Sequence, residues 1–213
     1  MEPEKGGGLV SSDSAASDAL TEAALVRACL RGERETFGQL VRIHQERVFN
    51  LALRMLDNRD DAEDAAQETF VRAYVGLKGW RRKGPFGAWL YRIGLNVCRD
   101  LGRRRARRGV IVPYPSEELG EAGFERAGSE GQSTSALPVL ESLEREEVKR
   151  HVQETLSLMP EHYRSVLALF ELQGLSYEEI AQITSAPVGT VRSRLNRARL
   201  MFKDYAKKWV RFE

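Results

Sequence analysis

The stretch Leu175–Phe202, LSYEEIAQITSAPVGTVRSRLNRARLMF, decides the fold. Ser176 with Glu179 three residues on forms a capping box, which opens a short helix ending near Thr184. Pro187 marks the restart after a tight turn at about Ser185 to Val188. A second helix then runs from Val188 to about Phe202. Tyr177, Ile180, Ala181 and Thr184 share one face of the first helix. Val191, Leu195, Ala198 and Phe202 share one face of the second. This is a helix-turn-helix, and it predicts binding to duplex DNA. The face opposite the apolar one carries Gly189, Arg192, Ser193, Asn196 and Arg197. Arginine can bond a guanine edge bidentately, and Asn and Ser can bond base edges or phosphates. Arg194 and Arg199 fall on the flanks, where phosphates pass a docked helix. Thr190 at the helix start completes the candidate set. The bland alternative is a solvated basic helix in a bundle.

Working upstream, Pro160 fits the first position of another helix, which buries Tyr163, Val166, Leu167 and Phe170. Helical pattern begins near Leu140. Residues 109–139 are rich in Pro, Gly, Ser and Glu without a steady period, and read as a flexible linker. Residues 1–20 read as a disordered tail. Between them, 21–108 form a first domain of four helices. Thr21 suits the first N-cap and Gly32 its end. A long amphipathic stretch covers Glu33 to about Asp57. Asn58 starts a third helix, whose stripe is Ala62, Ala66, Phe70, Ala73, Tyr74 and Leu77. The fourth runs from Phe86 to about Arg107 and buries Phe86, Trp89, Leu90, Ile93, Val97 and Leu101. No segment reads as a strand. The fold class is therefore all-α, with two small helical domains, the second covering 140–213.

Formal net charge is only +2 although 30% of residues are charged. The distribution matters more than the total. One basic block holds Arg99, Arg103, Arg104, Arg105, Arg107 and Arg108. A second holds Arg192, Arg194, Arg197, Arg199 and Lys203. The fourth helix presents Arg92, Asn96, Arg99, Asp100 and Arg103 on one side. The preceding loop KGWRRKGP (Lys78–Pro85) adds Trp80, Arg81, Arg82 and Lys83. Cations interleaved with an aromatic suit single-stranded nucleic acid, because bases stack on rings while cations track phosphates. Trp80 reads equally well as a packing anchor. For the arginine block the alternative is a solvated helix end. On the third helix, Asp60, Asp64, Gln67 and Glu68 lie outward beside Val71. That acidic face excludes DNA and could dock a basic protein partner, but on residues alone it reads as solubilisation and dipole matching.

The two cysteines, Cys29 and Cys98, lie in apolar helical stretches and read as buried free thiols. The three scattered histidines suggest no metal site, and no cofactor is expected. No apolar run reaches the roughly 18 residues of a membrane span. The start of the chain lacks secretory features, so a cytoplasmic location is expected. No nucleophile–base pair or carboxylate pair points to an enzyme.

Three segments together resemble bacterial sigma factors of the extracytoplasmic-function group: DNRDDAEDAAQETFVRAY, GPFGAWLYRIGLNVCRDLGRRR and LSYEEIAQITSAPVGTVRSRLNRAR. The resemblance covers about Ala24 to Arg108 and Glu146 to Lys207. It implies a non-catalytic specificity subunit of RNA polymerase. On that reading Asp60, Asp64, Gln67, Glu68 and Val71 dock on the clamp coiled coil of β′, and the second domain meets the β flap. The fourth helix and its loop read and melt the minus-ten element, with Asn96 against a flipped base and Asp100 one turn later. The C-terminal helix reads the minus-thirty-five element of promoter DNA. The linker threads toward the RNA exit channel, and an anti-sigma factor masks these surfaces. Two features depart from the family pattern. Leu101–Gly102 interrupts the fourth helix's usual run and is expected to bend the arginine block away. The loop is also unusually basic. The rival is a duplex-binding regulator without polymerase, which would leave the first domain's acidic face unexplained.

Overall fold

A computed structural model describes residues 22–80, 84–107 and 138–210. The expected tail, most of the expected linker, Thr21, Arg108 and the loop cations Arg81, Arg82 and Lys83 lie outside the described residues. Among the described residues there is no strand. Helix α1 covers residues 22–30. It is followed by α2 (Arg34–Leu56), α3 (Arg59–Gly76), a 3-10 turn (Leu77–Gly79) and α4 (Phe86–Arg107). The second domain comprises α5 (Pro138–Ser157), α6 (Glu161–Glu171), α7 (Tyr177–Thr184) and α8 (Val188–Val210).

Local chemistry fixes the helix ends. Gly32 takes φ +103° to close α1, a conformation that a side chain would oppose. At the α2–α3 corner Asp57 is left-handed and its N–H donates to Leu53 O. Asn58 then accepts from Asp61 N at 2.9 Å, and Asp60 and Asp61 sit at the positive end of α3. Alanine dominates the buried side of α3, at Ala62, Ala65, Ala66 and Ala73. Such small side chains let α2 and α4 pack closely on either side. At the crossing of α2 and α4, a Cβ on Gly87 would stand 3.2 Å from the buried His44 ring, tighter than packing normally allows. His44 in turn bonds Glu22 of α1 at 2.9 Å.

In the second domain the capping box forms as expected. Ser176 Oγ accepts from Glu179 N, and Glu179 Oε2 accepts from Ser176 N. Ser185 closes α7 in the left-handed region at φ +55°, and Ala181 O accepts from both Ser185 N and Ala186 N. Val191, Leu195 and Ala198 of α8 are buried against Ile180, Ile183, Val166 and Leu169. Pro160 is the N-cap of α6, one position before the expected site. Helix α8 runs on to Val210, well past Phe202, because Tyr205, Ala206 and Trp209 keep packing on α5. Trp209 stacks on His151 with ring centres 4.2 Å apart. Helix α4 continues unbroken through Leu101 and Gly102 to Arg107. The expected bend is absent, and Arg105 pairs with Asp61 of α3.

The two domains pack on each other through α2 with α5 and α6, and α4 with α7. Part of the joint is polar. Carbonyls at the end of a helix can take partners from outside it. Here Leu53 O of α2 accepts from Gln153 Nε2 at 3.0 Å, and Met55 O accepts from the buried Arg164 Nη1 at 3.1 Å. Arg99 bonds Glu161 at 2.6 Å. This double packing explains why Arg164 to Leu169 are all buried, with no outward face left on α6 there.

Two outcomes follow for stability. Arg164→Ala removes a charged donor from a buried carbonyl and should cost about 1.5–3 kcal/mol, read as a lower denaturant midpoint. A midpoint unchanged from the parent would mean the joint adds nothing to folding. Burial, with Glu161 nearby, pushes the Cys98 thiol up to about 12. The unfolded thiol ionises near its ordinary value of 9.0, so the unfolded state gains stability as pH rises from about 9 toward 12. Denaturation at pH 8 and pH 10 should therefore show a steeper loss in the parent than in Cys98→Ala.

Candidate nucleic-acid and polymerase interfaces

The α8 face expected to read duplex DNA is open. Arg192, Ser193, Asn196 and Arg199 are exposed, and Thr190, Arg194 and Arg197 are half-buried. Their states differ. Arg192 lies over the Tyr177 ring of α7, 5.8 Å from its centre. Ser193 Oγ donates back to Thr190 O at 3.0 Å, within its own helix. Arg199 is held by Glu171 of α6 through Nε at 3.1 Å and Nη2 at 2.8 Å, over the Phe170 ring. It ties α6 to α8 before any nucleic acid arrives. Asn196 and Arg194 carry no such tie among the described residues.

The first domain brings an aromatic wall together with polar groups. Trp80 stacks on Trp89 with ring centres 5.6 Å apart and planes inclined by 25°, and meets Phe86 edge-on at 5.7 Å. Trp80 is thus packed, as the anchor reading expects, and half-exposed. The indoles, with Gly76, Gly79 and Ile93, line a cavity of about 390 Å³. Asn96 of α4 and Arg72 of α3 supply its polar groups. Arg72 was not among the expected site residues. Its spacing from Glu68 reads as an ordinary surface pair, and nothing local reveals Asp100 as a second partner. Nε bonds Glu68 Oε1 at 2.7 Å and Nη1 bonds Asp100 Oδ2 at 3.3 Å. The bond to Glu68, reinforced by Asp100, raises the guanidinium above its ordinary value.

The row Arg92, Asn96, Arg99, Asp100 and Arg103 divides. Arg92 and Asn96 are exposed. Arg92 lines a smaller gap of about 200 Å³ between Trp80, Trp89 and Gln182 of α7. Asp100 turns to Arg72, and Arg103 is solvent-exposed beside it at 4.0 Å. Arg99 turns the other way, to Glu161 of the second domain. At about 100° per residue Arg99 stands roughly 60° around the axis from Asn96 and about 100° from Asp100, which turns Arg99 and Asp100 to opposite flanks of the row.

Beyond Arg72 lies a groove of about 430 Å³ between α3 and α4. It is lined by Asp64, Gln67, Glu68, Val71, Val97 and Asp100, among others. Asp60 lies exposed at the N-terminal end of α3. The same helix also exposes apolar surface at Val71 (58%), Tyr74 (43%) and Val75 (75%). Charge and exposed apolar side chains therefore share one side of α3. Tyr74 was expected in the buried stripe. It sits at the rim, edge-on to Phe37.

The comparisons agree with this division. Residues 40–108 match the family described as Sigma-70 region 2, and residues 149–201 match Sigma-70, region 4. The chain is 38% identical over 179 residues to the RNA polymerase sigma-H factor of Pseudomonas aeruginosa, covering 82% of this chain and 88% of that one. It is 37% identical over 184 residues to the ECF RNA polymerase sigma-E factor of Escherichia coli K12, covering 86% and 93%. Among solved structures, CnrH in complex with the cytosolic domain of CnrY aligns with TM-score 0.64 and 28% identity, covering 88% of this chain and 97% of that one. The sigma factor RpoE of Bartonella quintana, solved with the anti-sigma factor NepR, shares the fold at TM-score 0.59 and 21% identity, with 80% and 96% covered. With both regions matched and such identity along most of its length, the chain belongs to the extracytoplasmic-function family of RNA polymerase sigma factors.

Proposed function

We propose that this sigma factor docks on core RNA polymerase through the exposed side of α3 and positions it at a promoter by two separate DNA contacts. Asp60, Asp64, Gln67, Glu68 and Val71 meet the β′ clamp coiled coil, where the carboxylates set orientation and Val71 with Val75 supplies apolar contact. Helix α8 enters the major groove of the minus-thirty-five element. Arg192 and Asn196 are its readers, Arg194 meets the flanking phosphates, and Arg199 holds the helix on α6 while facing the backbone. In the minus-ten element a base leaves the stack and enters the cavity against Trp80, with its edge toward Asn96. Extrusion makes strand opening sequence-dependent. The loop cations at 81–83 follow the phosphates of the opened strand. The chain performs no catalysis itself. It works in the cytoplasm, where the polymerase is, and no helix among the described residues is long and apolar enough to cross a membrane.

The observation that carries this reading is the cavity. Two indoles, an exposed Asn96 and a fixed arginine on a domain distinct from the helix-turn-helix are what single-strand reading needs, and a duplex-only regulator has no use for them. An anti-sigma partner that covers α3 and the second domain is proposed on the likeness to CnrH, which was solved with a domain of a second protein.

Run-off transcription with purified core polymerase tests the whole. The protein should direct initiation from promoters of its own genome, and failure on all of them sinks the sigma reading. Arg192→Ala should weaken upstream binding by roughly 1–3 kcal/mol and relax specificity there, provided the guanidinium leaves Tyr177 for a base edge. Binding equal to the parent removes it from the reading face. Asn96→Ala should slow open-complex formation while sparing duplex binding by the second domain. Loss of both together contradicts a local role.

A further inference from the structure

The cavity holds a second potential reader that the family resemblance did not point to. Arg72 reaches it from α3 rather than from α4 or the loop. Its side chain is 39% exposed, yet its position is fixed from two directions. Glu68 lies one turn before it on the same helix and takes Nε. Asp100 on α4 takes one Nη1 proton. A guanidinium has five N–H groups in a planar fork. Those on Nη2 and the remaining one on Nη1 have no partner among the described residues.

We infer that Arg72 is a base-reading residue of this cavity, selecting an extruded base whose edge presents a carbonyl oxygen and disfavouring adenine, the one base without such a group. The inference rests on the base-pocket reading above and assigns its specificity.

Arg72 donates only, so whatever faces it must accept. Asn96 can donate and accept, and therefore discriminates less by itself. Cytosine (O2 with N3) and guanine (O6 with N7) each carry a carbonyl beside an accepting ring nitrogen, an edge that a guanidinium fork matches, while thymine, whose N3 is a donor, offers a carbonyl for a single bond. Adenine's amino group would set donor against donor. A phosphate gains less at this point, because the charge of Arg72 is already spent on two carboxylates. What remains is the geometry of its N–H groups, which a neutral base edge uses well. The ion pairs also hold the side chain in place before binding. Little rotamer entropy is then lost when the base arrives, and preorganisation of that kind strengthens discrimination. The pair of indoles supplies stacking that is indifferent to sequence. Affinity and selectivity thus come from different walls.

The test uses the full chain in a Trp209→Phe background, so that Trp80 and Trp89 alone report. The probes are single-stranded hexanucleotides of abasic backbone carrying one A, C, G or T, followed by quenching of tryptophan fluorescence. The background protein should bind the C or G probes about fivefold or more tighter than the A probe, the low end of a good fork contact. Arg72→Ala should collapse that ratio to within about twofold while leaving the weak, salt-dependent binding of the backbone. Arg72→Lys keeps the charge and loses the fork. It should lower the same ratio and serves if the alanine variant does not fold by circular dichroism. A ratio unchanged in the folded variant overturns the inference and leaves the pocket standing with Asn96 as its reader. Equal weakening for all four probes makes Arg72 a structural tie and overturns it too. Quenching by no probe at all in the background protein removes the pocket itself, and with it that part of the proposed function.

Discussion

Helix α4 is packed from three directions, and that constraint governs the molecule. It lies against α2 and α3 in its own domain and against α7 of the other. Phe86, Ala88, Leu90, Tyr91, Leu95, Val97 and Cys98 are all buried, so only a narrow band of the helix meets solvent. Arg92 and Asn96 occupy that band. A helix so enclosed cannot rotate or shift without breaking core packing on several sides, because interiors of this density resist small displacements. Whatever Asn96 touches is therefore placed by the hydrophobic core. A loop residue would not be held in that way.

The same constraint explains what the sequence revealed and what it hid. The helix-turn-helix was legible because its signals are local: Ser176 with Glu179, the restart at Pro187, and an apolar face repeating at helical spacing. Asn58 as a cap and the alanine side of α3 were legible for the same reason. Of the stripe expected on α4, Phe86, Leu90 and Val97 are buried while Trp89, Ile93 and Leu101 are half-buried, and it missed Tyr91, Leu95 and Cys98, because a helix buried on several sides has no single stripe. Helix α6 shows the extreme, with Arg164 and Ser165 buried among apolar neighbours. Periodicity records how many faces are covered, and it cannot say by what. Arg72 stayed hidden for a related reason. Its partner Asp100 is 28 residues away, and only the α3–α4 packing brings the two together.

The arginine block shows how a charge run changes meaning once folded. As sequence, Arg99 to Arg108 reads as one basic surface. In the fold its members diverge with helical rotation. Arg99 serves the joint between domains, Arg105 clamps α4 to the start of α3, and Arg103, Arg104 and Arg107 remain exposed. Exposed members keep their long-range attraction for phosphates. The paired ones have exchanged it for local order, and their carboxylate partners screen what is left. Counting arginines would overstate the phosphate-binding surface of this domain.

The joint between domains bears directly on how two DNA contacts can be made by one chain. Its polar part consists of hydrogen bonds and an ion pair: Gln153 and Arg164 on the carbonyl end of α2, and Arg99 on Glu161. Water can replace each of these partners when the surfaces part, so each bond adds only about 0.5–3 kcal/mol net. An apolar joint of the same extent would lose its whole transfer energy on opening and would lock the domains together. The buried apolar side chains of the two domains, Leu90 and Leu95 in one and Leu169 and Leu195 in the other, belong to one cluster that continues across the joint, so parting the domains also exposes apolar surface. Joined by the segment before α5, the domains keep a high effective concentration for one another's DNA sites. On the proposed reading, modest affinity in α8 and modest affinity in the cavity add to a specific whole when both sites are offered on the same DNA.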